Sequence, residues 1–458
     1  MGWRMSFLRS LQGSEVLVFG SGVTGSDVAR FLKKHGARVT QVDEKGDGVE
    51  IRRDLKQIEL SRQSLGIVSP GWRLDNPLIS EARSAGISII SEIDLAWRVK
   101  EEVYPNQIWL ALTGTNGKTT TVQMCEAMLN ESGISAKACG NVGDTAIGCV
   151  ADSESAVLIL ELSSFQLSWS NEARFRAAAI LNIAEDHIDW HGSFSAYADA
   201  KFRIADMSEK LIANLDDHTI EDGVTKVSIP VIAYTLNSPV MGQIGLVENL
   251  IVDRAFPAGD AEVLFELADI DPAIPHNVSN AMAAAALALI GGAEYSAIAT
   301  ALRKFKLDKH RLELIADKDG IKWVDDSKAT NPHAARAALN SATSSIWIAG
   351  GLAKGADMEN LVSSCAGRIK SAILIGSDAE IIAAAMAKFA PQIPIFRIAN
   401  NKSGIELMRE VVAIAQKDAK PGDTVLLAPA CASMDQFKDY ADRGESFATA
   451  VKEAIHAS

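Results

Sequence analysis

No stretch of this 458-residue sequence is apolar for long enough to cross a bilayer. The longest uninterrupted apolar run, residues 281–290, is about half the ~20 residues a spanning helix needs. The first residues, MGWRMSFLRSLQGSE, carry basic side chains but lack the apolar segment of a secretory signal. Cysteine is scarce: there are five, none at metal-site spacing, as expected of reduced thiols in a cytoplasmic protein. Positive charge is in deficit, with 45 Lys and Arg against 58 Asp and Glu and a formal net charge of −13. Neither nucleic acid nor membrane is therefore expected as a partner, and any anionic ligand must be held by local groups. Long internal repeats and low-complexity tracts are missing too, so the chain is not a repeat array.

What is present is a globular α/β pattern. The apolar fraction is 48%, and the length suits about three domains, each with its own core. Expected strands at 15–19, 38–42, 66–69 and 88–90 alternate with amphipathic stretches, which implies a parallel sheet with helices on its faces. The polar stretch 100–107 reads as a linker into a second unit, with strands at 108–112, 156–160 and 178–182, a β-rich region over 210–275, and a helix over 277–290. A third α/β unit starts near 307, with strands at 346–349, 371–375, 393–397 and 424–427. The expected domains are 1–101, 102–306 and 307–458.

The first unit opens with Val16-Leu-Val-Phe19 feeding Gly20-Ser-Gly22-Val-Thr-Gly25, and Asp43 closes the next strand. That is the dinucleotide fingerprint, in which the glycine loop and helix N-terminus receive a pyrophosphate and the acid holds a ribose. Read alone, it suggests a nicotinamide oxidoreductase. A second loop follows the strand at 108–112: Thr113-Gly114-Thr115-Asn116-Gly117-Lys118-Thr119-Thr120. A strand feeding a glycine loop that ends in Gly-Lys-Thr is a phosphate cradle, with the lysine on the terminal phosphates and a hydroxyl suited to Mg²⁺. Leu112 stands where a full Walker loop has glycine, so this is the shorter form. ATP is therefore the better-supported nucleotide.

Acids and histidines follow at strand ends, where ligands of open α/β sheets bind. Glu161 ends a buried strand, and Glu185-Asp-His187-Ile-Asp-Trp-His191 lies past another. The two histidines four apart suit zinc on a helix, but no third N or S ligand follows and the segment reads as a loop, which favours oxygen-ligated Mg²⁺. Lys201, in Tyr197-Ala-Asp-Ala-Lys201, reads on its own as a solvated helix lysine.

Together these segments resemble the Mur ligases, ATP-dependent amide-forming enzymes of peptidoglycan synthesis. The matching residues are Gly114–Thr119, Glu161-Leu-Ser-Ser-Phe-Gln166, Glu185-Asp-His-Ile-Asp189, the lysine of Tyr197–Lys201, His276-Asn-Val-Ser-Asn280 and Lys309-His-Arg311. Asp325-Asp-Ser-Lys-Ala-Thr-Asn331, Gly350–Gly355 and Pro429-Ala-Cys-Ala-Ser-Met-Asp-Gln-Phe437 extend the match over nearly the whole chain. The last groups are most similar to the branch of the family that adds D-glutamate. The resemblance implies a Rossmann-like N-terminal domain for the UDP-linked substrate, a central P-loop ATPase-like domain, and a C-terminal Rossmann-like domain for the amino acid. It turns the first glycine loop from a nicotinamide site into a UDP site.

Further implications follow residue by residue. The acceptor UDP-N-acetylmuramoyl-L-alanine is expected at Val23, Thr24, Ser69, Asn141 and His187. ATP is expected at Gly114–Thr120, Asn277, Asn280, Arg311 and Asp326, the last two near a domain hinge. Lys118 serves the β- and γ-phosphates. Thr119 and Glu161 serve one Mg²⁺, and His187 with a carbamylated Lys201 serves a second. D-Glutamate, with its two carboxylates, is expected at Lys328, Thr330, Lys354 and Ser433, each in a glycine- or proline-marked loop after a strand. Tyr440 stands where the family often has phenylalanine, and it bears on the same subsite. Cys431 reads as a packed residue without a nucleophilic role. The expected enzyme is a monomer that forms its amide through an acyl phosphate. The alternatives are a ligase for another amino acid, or a nucleotide-sugar-binding protein that has lost its chemistry.

Overall fold

The structure, a computed structural model, describes residues 6–46, 51–152, 154–256, 261–399 and 401–457. It contains three sheets in two compact units. The first unit runs to Ile183 and resumes over Phe194–Phe305; the second joins Ala184–Ser193 to Lys306–Ser458.

The first sheet is parallel and five-stranded, in the order Ile51–Arg52, Arg38–Val42, Glu15–Phe19, Gln63–Val68, Ile89–Ser91. The chain reverses its direction of travel at Glu15–Phe19, so the loop at Gly20 leaves from the switch point, where such sheets bind ligands. Strand residues Val16–Phe19 are buried on both faces, as a sheet covered by helices requires.

The second sheet has nine strands, in the order Glu262–Glu266, Leu250–Asp253, Gln243–Val247, Val231–Thr235, Leu211–Asn214, Ala177–Ile180, Ile108–Thr113, Val157–Glu161, Ala136–Gly140. Its pairs are parallel except those of the outermost two strands, Leu250–Asp253 and Glu262–Glu266. Ile108–Thr113 is again the switch strand, with Leu112 opposite Glu161 on one side and Ala179 on the other. The helix Pro275–Ile290 starts with proline in its first turn, where the missing N–H costs nothing. It is apolar almost all round, and Ala281–Ala288 are fully buried. Alanine keeps it slim enough to pack with the helix Lys118–Glu131 in one core.

The third sheet runs Glu313–Lys318, Ile321–Asp325, Thr424–Leu427, Ser345–Gly350, Ile369–Ile375, Ile395–Arg397. Only its first pair is antiparallel, a hairpin turned by Asp319 and Gly320, both at positive φ. An Asp-Gly pair is the residue choice such a turn demands.

The expected elements lie within a few residues of those observed, with two corrections. The stretch 100–107 is not a free linker: the helix Glu92–Val103 runs into it, and Lys100 is buried with its amine donating to the Pro105 carbonyl at 3.0 Å. Neither strand of the hairpin, Glu313–Lys318 and Ile321–Asp325, is among the expected strands, nor is Ala136–Gly140. Among the described residues, no helix is long and apolar enough to cross a membrane.

Candidate active site

The loop after Ile108–Thr113 is built for a phosphate. Gly117 caps the helix Lys118–Glu131 at φ 82°, a conformation that favours glycine. A Cβ there would also stand 2.4 Å from Asn280 Oδ1, so Asn280 lies directly against the loop. The helix N-terminus beyond Gly117 supplies the positive dipole end. The Lys118 amine donates to the Gly114 and Thr115 carbonyls, both at 3.0 Å. Thr119 and Thr120 are buried in the first helical turn.

Two of the loop's amides are directed elsewhere than a phosphate. The Thr115 N–H donates to the Asn182 carbonyl at 2.9 Å, and the Asn116 N–H to Asn182 Oδ1 at 2.8 Å. Asn182 Nδ2 returns a bond to the Asn116 carbonyl at 2.9 Å. Thr115 Oγ1 also pairs with the buried Tyr197 hydroxyl at 2.9 Å. Asn182 and Tyr197 had no assigned role in the sequence reading.

Lys201 overturns the expectation of a solvated lysine, since only 1% of it is exposed. Its amine donates to the Gly114 carbonyl at 2.8 Å and Thr113 Oγ1 at 3.4 Å, and lies 4.7 Å from the Tyr197 ring centroid. Lys118 and Lys201 thus converge on one carbonyl of the phosphate loop.

Glu161 ends its strand between the phosphate-loop strand and Ala136–Gly140. The Asn141 side chain donates to Glu161 Oε1 at 3.0 Å. Oε2 is buried and makes no hydrogen bond. A buried carboxylate oxygen without a donor is costly, and a cation would satisfy it; a hard divalent ion suits such a carboxylate. Asn277 and Asn280 are buried inside the helix Pro275–Ile290, whose N-cap is Ile274.

Within the first sheet, Ser69 follows Gln63–Val68 and faces the glycine loop, with Oγ 2.4 Å from where a Gly20 Cβ would stand. Oγ is buried without a hydrogen-bond partner. Val23 is largely exposed and Thr24 half-buried in the first turn of the helix Val23–Lys34. Asp43 turns inward on its own loop, accepting from the Ser21 N–H at 2.8 Å and Ser21 Oγ at 2.7 Å. Burial opposes its ionisation, but the bonds from Ser21 and Lys45 win and hold it below the usual carboxylate range.

In the second unit, His187 sits at φ 53° ahead of the four-residue helix Ile188–His191, its ring 3.7 Å from Asp186. The loops carrying Lys328 and Thr330, Lys354, and Ser433 all leave the C-terminal ends of adjacent strands of the third sheet. Leu352 and Ala432 exchange backbone bonds at 2.8 and 2.9 Å, and the Ala430 N–H donates to the Ala329 carbonyl at 2.9 Å. Those bonds draw the three loops together. The Lys328 amine lies 3.6 Å from the Tyr440 ring centroid. Lys354 is exposed and Ser433 buried.

Arg443, absent from the sequence reading, is fully buried and ties two of these loops, donating to Ser327 Oγ, the Ser327 carbonyl and the Cys431 carbonyl at 2.9–3.1 Å. Burial pushes its guanidinium down to about 10. Cys431 is buried, its thiol pushed up to about 12 by that burial. Arg311 is half-buried. Burial pushes Asp326 up to about 7, with the Leu312 N–H and Arg311 opposing. Among the described residues, the one group of three His, Cys, Asp or Glu side chains close enough to share an ion is His310, Glu313 and Asp325, which does not include His187 or His191.

A phosphate loop at one sheet's switch point and a second glycine loop at another's define a nucleotide-binding α/β protein. Residues 112–288 match the Mur ligase middle domain and residues 310–431 the Mur ligase glutamate ligase domain. The chain belongs to the Mur ligase family. It is 45% identical to the UDP-N-acetylmuramoylalanine–D-glutamate ligase of Thermobifida fusca over 96% of this chain and 99% of that one. The enzyme of the same name from Streptomyces coelicolor is 42% identical, over 96% and 98%. The crystal structure of MurF ligase from Thermotoga maritima in complex with ADP shares the fold, with a TM-score of 0.60 at 14% identity over 99% of this chain and 97% of that one.

Proposed function

We propose that this protein is the ATP-dependent ligase that adds D-glutamate to UDP-N-acetylmuramoyl-L-alanine in peptidoglycan synthesis. One observation carries the chemistry: a Gly-Lys-Thr phosphate loop beside the unsatisfied buried oxygen of Glu161. The names of the full-length relatives support the substrates, and the ADP complex of the Thermotoga ligase supports the nucleotide.

The proposed domains are 1–101 for the UDP-linked acceptor, 102–306 for ATP and 307–458 for D-glutamate. The L-alanine carboxylate attacks the γ-phosphorus of ATP, ADP leaves, and an acyl phosphate forms. The D-glutamate amine then attacks the acyl carbon, and phosphate departs from the tetrahedral intermediate. Two anions must meet in the first step, so the protein's task is to neutralise and align them. Lys118 and the helix N-terminus at Gly117 hold the terminal phosphates. Asn277 and Asn280 hold the nucleotide, with Arg311 and Asp326 contributing from the third domain. Val23, Thr24, Ser69, Asn141 and His187 hold the acceptor. Lys328, Thr330, Lys354 and Ser433 hold the two carboxylates of D-glutamate.

Thr119 and Glu161 would hold one Mg²⁺, and His187 with a carbamylated Lys201 a second; such ions supply charge neutralisation at the transferring phosphoryl group. Addition of CO₂ to the neutral Lys201 amine, with loss of a proton, replaces a cation by an oxygen anion suited to Mg²⁺.

The first-domain reading is tested by thermal shift. UDP-N-acetylmuramoyl-L-alanine should raise Tm and NAD or NADH should not, because Ser69 Oγ and the Gly20–Gly25 loop take a diphosphate without reading nicotinamide. Stabilisation by nicotinamide nucleotides and none by UDP-sugars would reverse the assignment.

A further inference from the structure

We propose that Asn182 is a positioning residue for the phosphate loop, an inference that rests on the ATP reading of that loop. Asn182 engages the loop three times: its carbonyl takes the Thr115 N–H, its Oδ1 takes the Asn116 N–H, and its Nδ2 donates to the Asn116 carbonyl. A planar amide carries its acceptor oxygen and its donor NH₂ group in fixed geometry, so both bonds to Asn116 form only in one orientation of that peptide.

The consequence is a sorting of the loop's dipoles. The Gly114 carbonyl is taken by Lys118 and Lys201, the Thr115 carbonyl by Lys118, and the Asn116 carbonyl by Asn182. Three successive carbonyls that would repel phosphate are each held by a donor. The strand side also presses close: a Cβ at Gly114 would stand 3.0 Å from Leu181 Cβ and 3.5 Å from the Asn182 nitrogen. Asn182 therefore fixes the segment that leads into Gly117 and the helix N-terminus.

Ile183, the next residue, donates its N–H to Asp217 at 2.8 Å, which holds the chain just beyond Asn182. Asn182 touches none of the three substrates in this reading, and acts through Thr115 and Asn116.

The test compares the intact wild-type protein with Asn182→Ala and Asn182→Gln, using calorimetry with ADP and steady-state kinetics. Alanine removes both side-chain bonds, so ADP affinity should fall about tenfold or more, with KM for ATP rising alongside. KM for D-glutamate should stay within about twofold. Glutamine keeps the amide one methylene further out, and should recover part of the loss. Wild-type ADP affinity in Asn182→Ala would overturn the proposal. So would parallel losses for ATP and D-glutamate that follow a lowered Tm, because that pattern marks general destabilisation. If alanine does not fold, the ADP affinity of Asn182→Gln decides: a weakened value supports the proposal and an unchanged one refutes it. Failure of the wild-type protein itself to bind ADP would instead sink the ATP reading, and this inference with it.

Discussion

The Lys201 amine donates to the Gly114 carbonyl at 2.8 Å, which places a buried lysine under the loop assigned to the ATP phosphates. Lys201→Ala should lower turnover by roughly 10²–10³. It should also lower Tm, because the stem leaves a cavity in a buried site rather than a bare surface. Formate or acetate at high concentration should restore part of the rate by supplying the missing oxygen anion. Lys201→Arg should stay inactive, since guanidinium keeps its charge and cannot take up CO₂. Near-normal turnover of Lys201→Ala in bicarbonate-free buffer would refute the carbamate.

Tyr440 opens the helix Tyr440–Ala457 and contributes through both its backbone and its ring. Its carbonyl accepts from Ser327 Oγ at 2.7 Å, and its ring faces the Lys328 amine. Phenylalanine preserves both contacts, so Tyr440→Phe should keep KM for D-glutamate within about twofold. Tyr440→Ala should raise it by roughly 3–10-fold, as expected for one partly desolvated cation–π contact. An equal effect of the two substitutions would remove the ring from the account and leave only the hydroxyl.

His310 donates into the Asp325 carboxylate at 2.6 Å, both residues being buried. That bond raises the imidazole above its usual 6.5, against the opposing effect of burial. A histidine so raised stabilises the fold fully below the unfolded value, and the contribution disappears as pH climbs through the folded value. His310→Asn tolerates the local φ of 65° and loses the charge. The stability gap between wild type and variant, read from urea melts, should be widest below about pH 6 and shrink into the alkaline range. A gap that widens with pH would contradict the pairing.

Local chemistry was legible from sequence. A strand running into Gly114–Lys118, and Glu161 at the end of a buried strand, are patterns within a dozen residues. The burial of Lys201 runs against its local reading as a solvated lysine, although a signal is there: it lies four residues after Tyr197 and three before Ile204, on the buried stripe of the helix Phe194–Asp206. A lysine on that stripe is masked by the usual rule that lysines face water. The role of Asn182 was hidden for a different reason, since its partner is 66 residues away and only sheet pairing joins them. The hairpin after Glu313 could have been found from Asp319-Gly320. The union of the Lys328, Lys354 and Ser433 loops follows from strand order, which alternation alone does not fix.

Joining D-glutamate to UDP-N-acetylmuramoyl-L-alanine at the expense of ATP is the proposed activity of this chain. The direct measurement is phosphate release from ATP with that acceptor and a panel of D- and L-amino acids, including L-alanine and a diamino acid. D-Glutamate alone should support turnover, exceeding the others by on the order of 10³ in kcat/KM, because its two carboxylates satisfy donors that the others leave unpaired. Comparable turnover with L-alanine or the diamino acid, or release that ignores the acceptor, would contradict it.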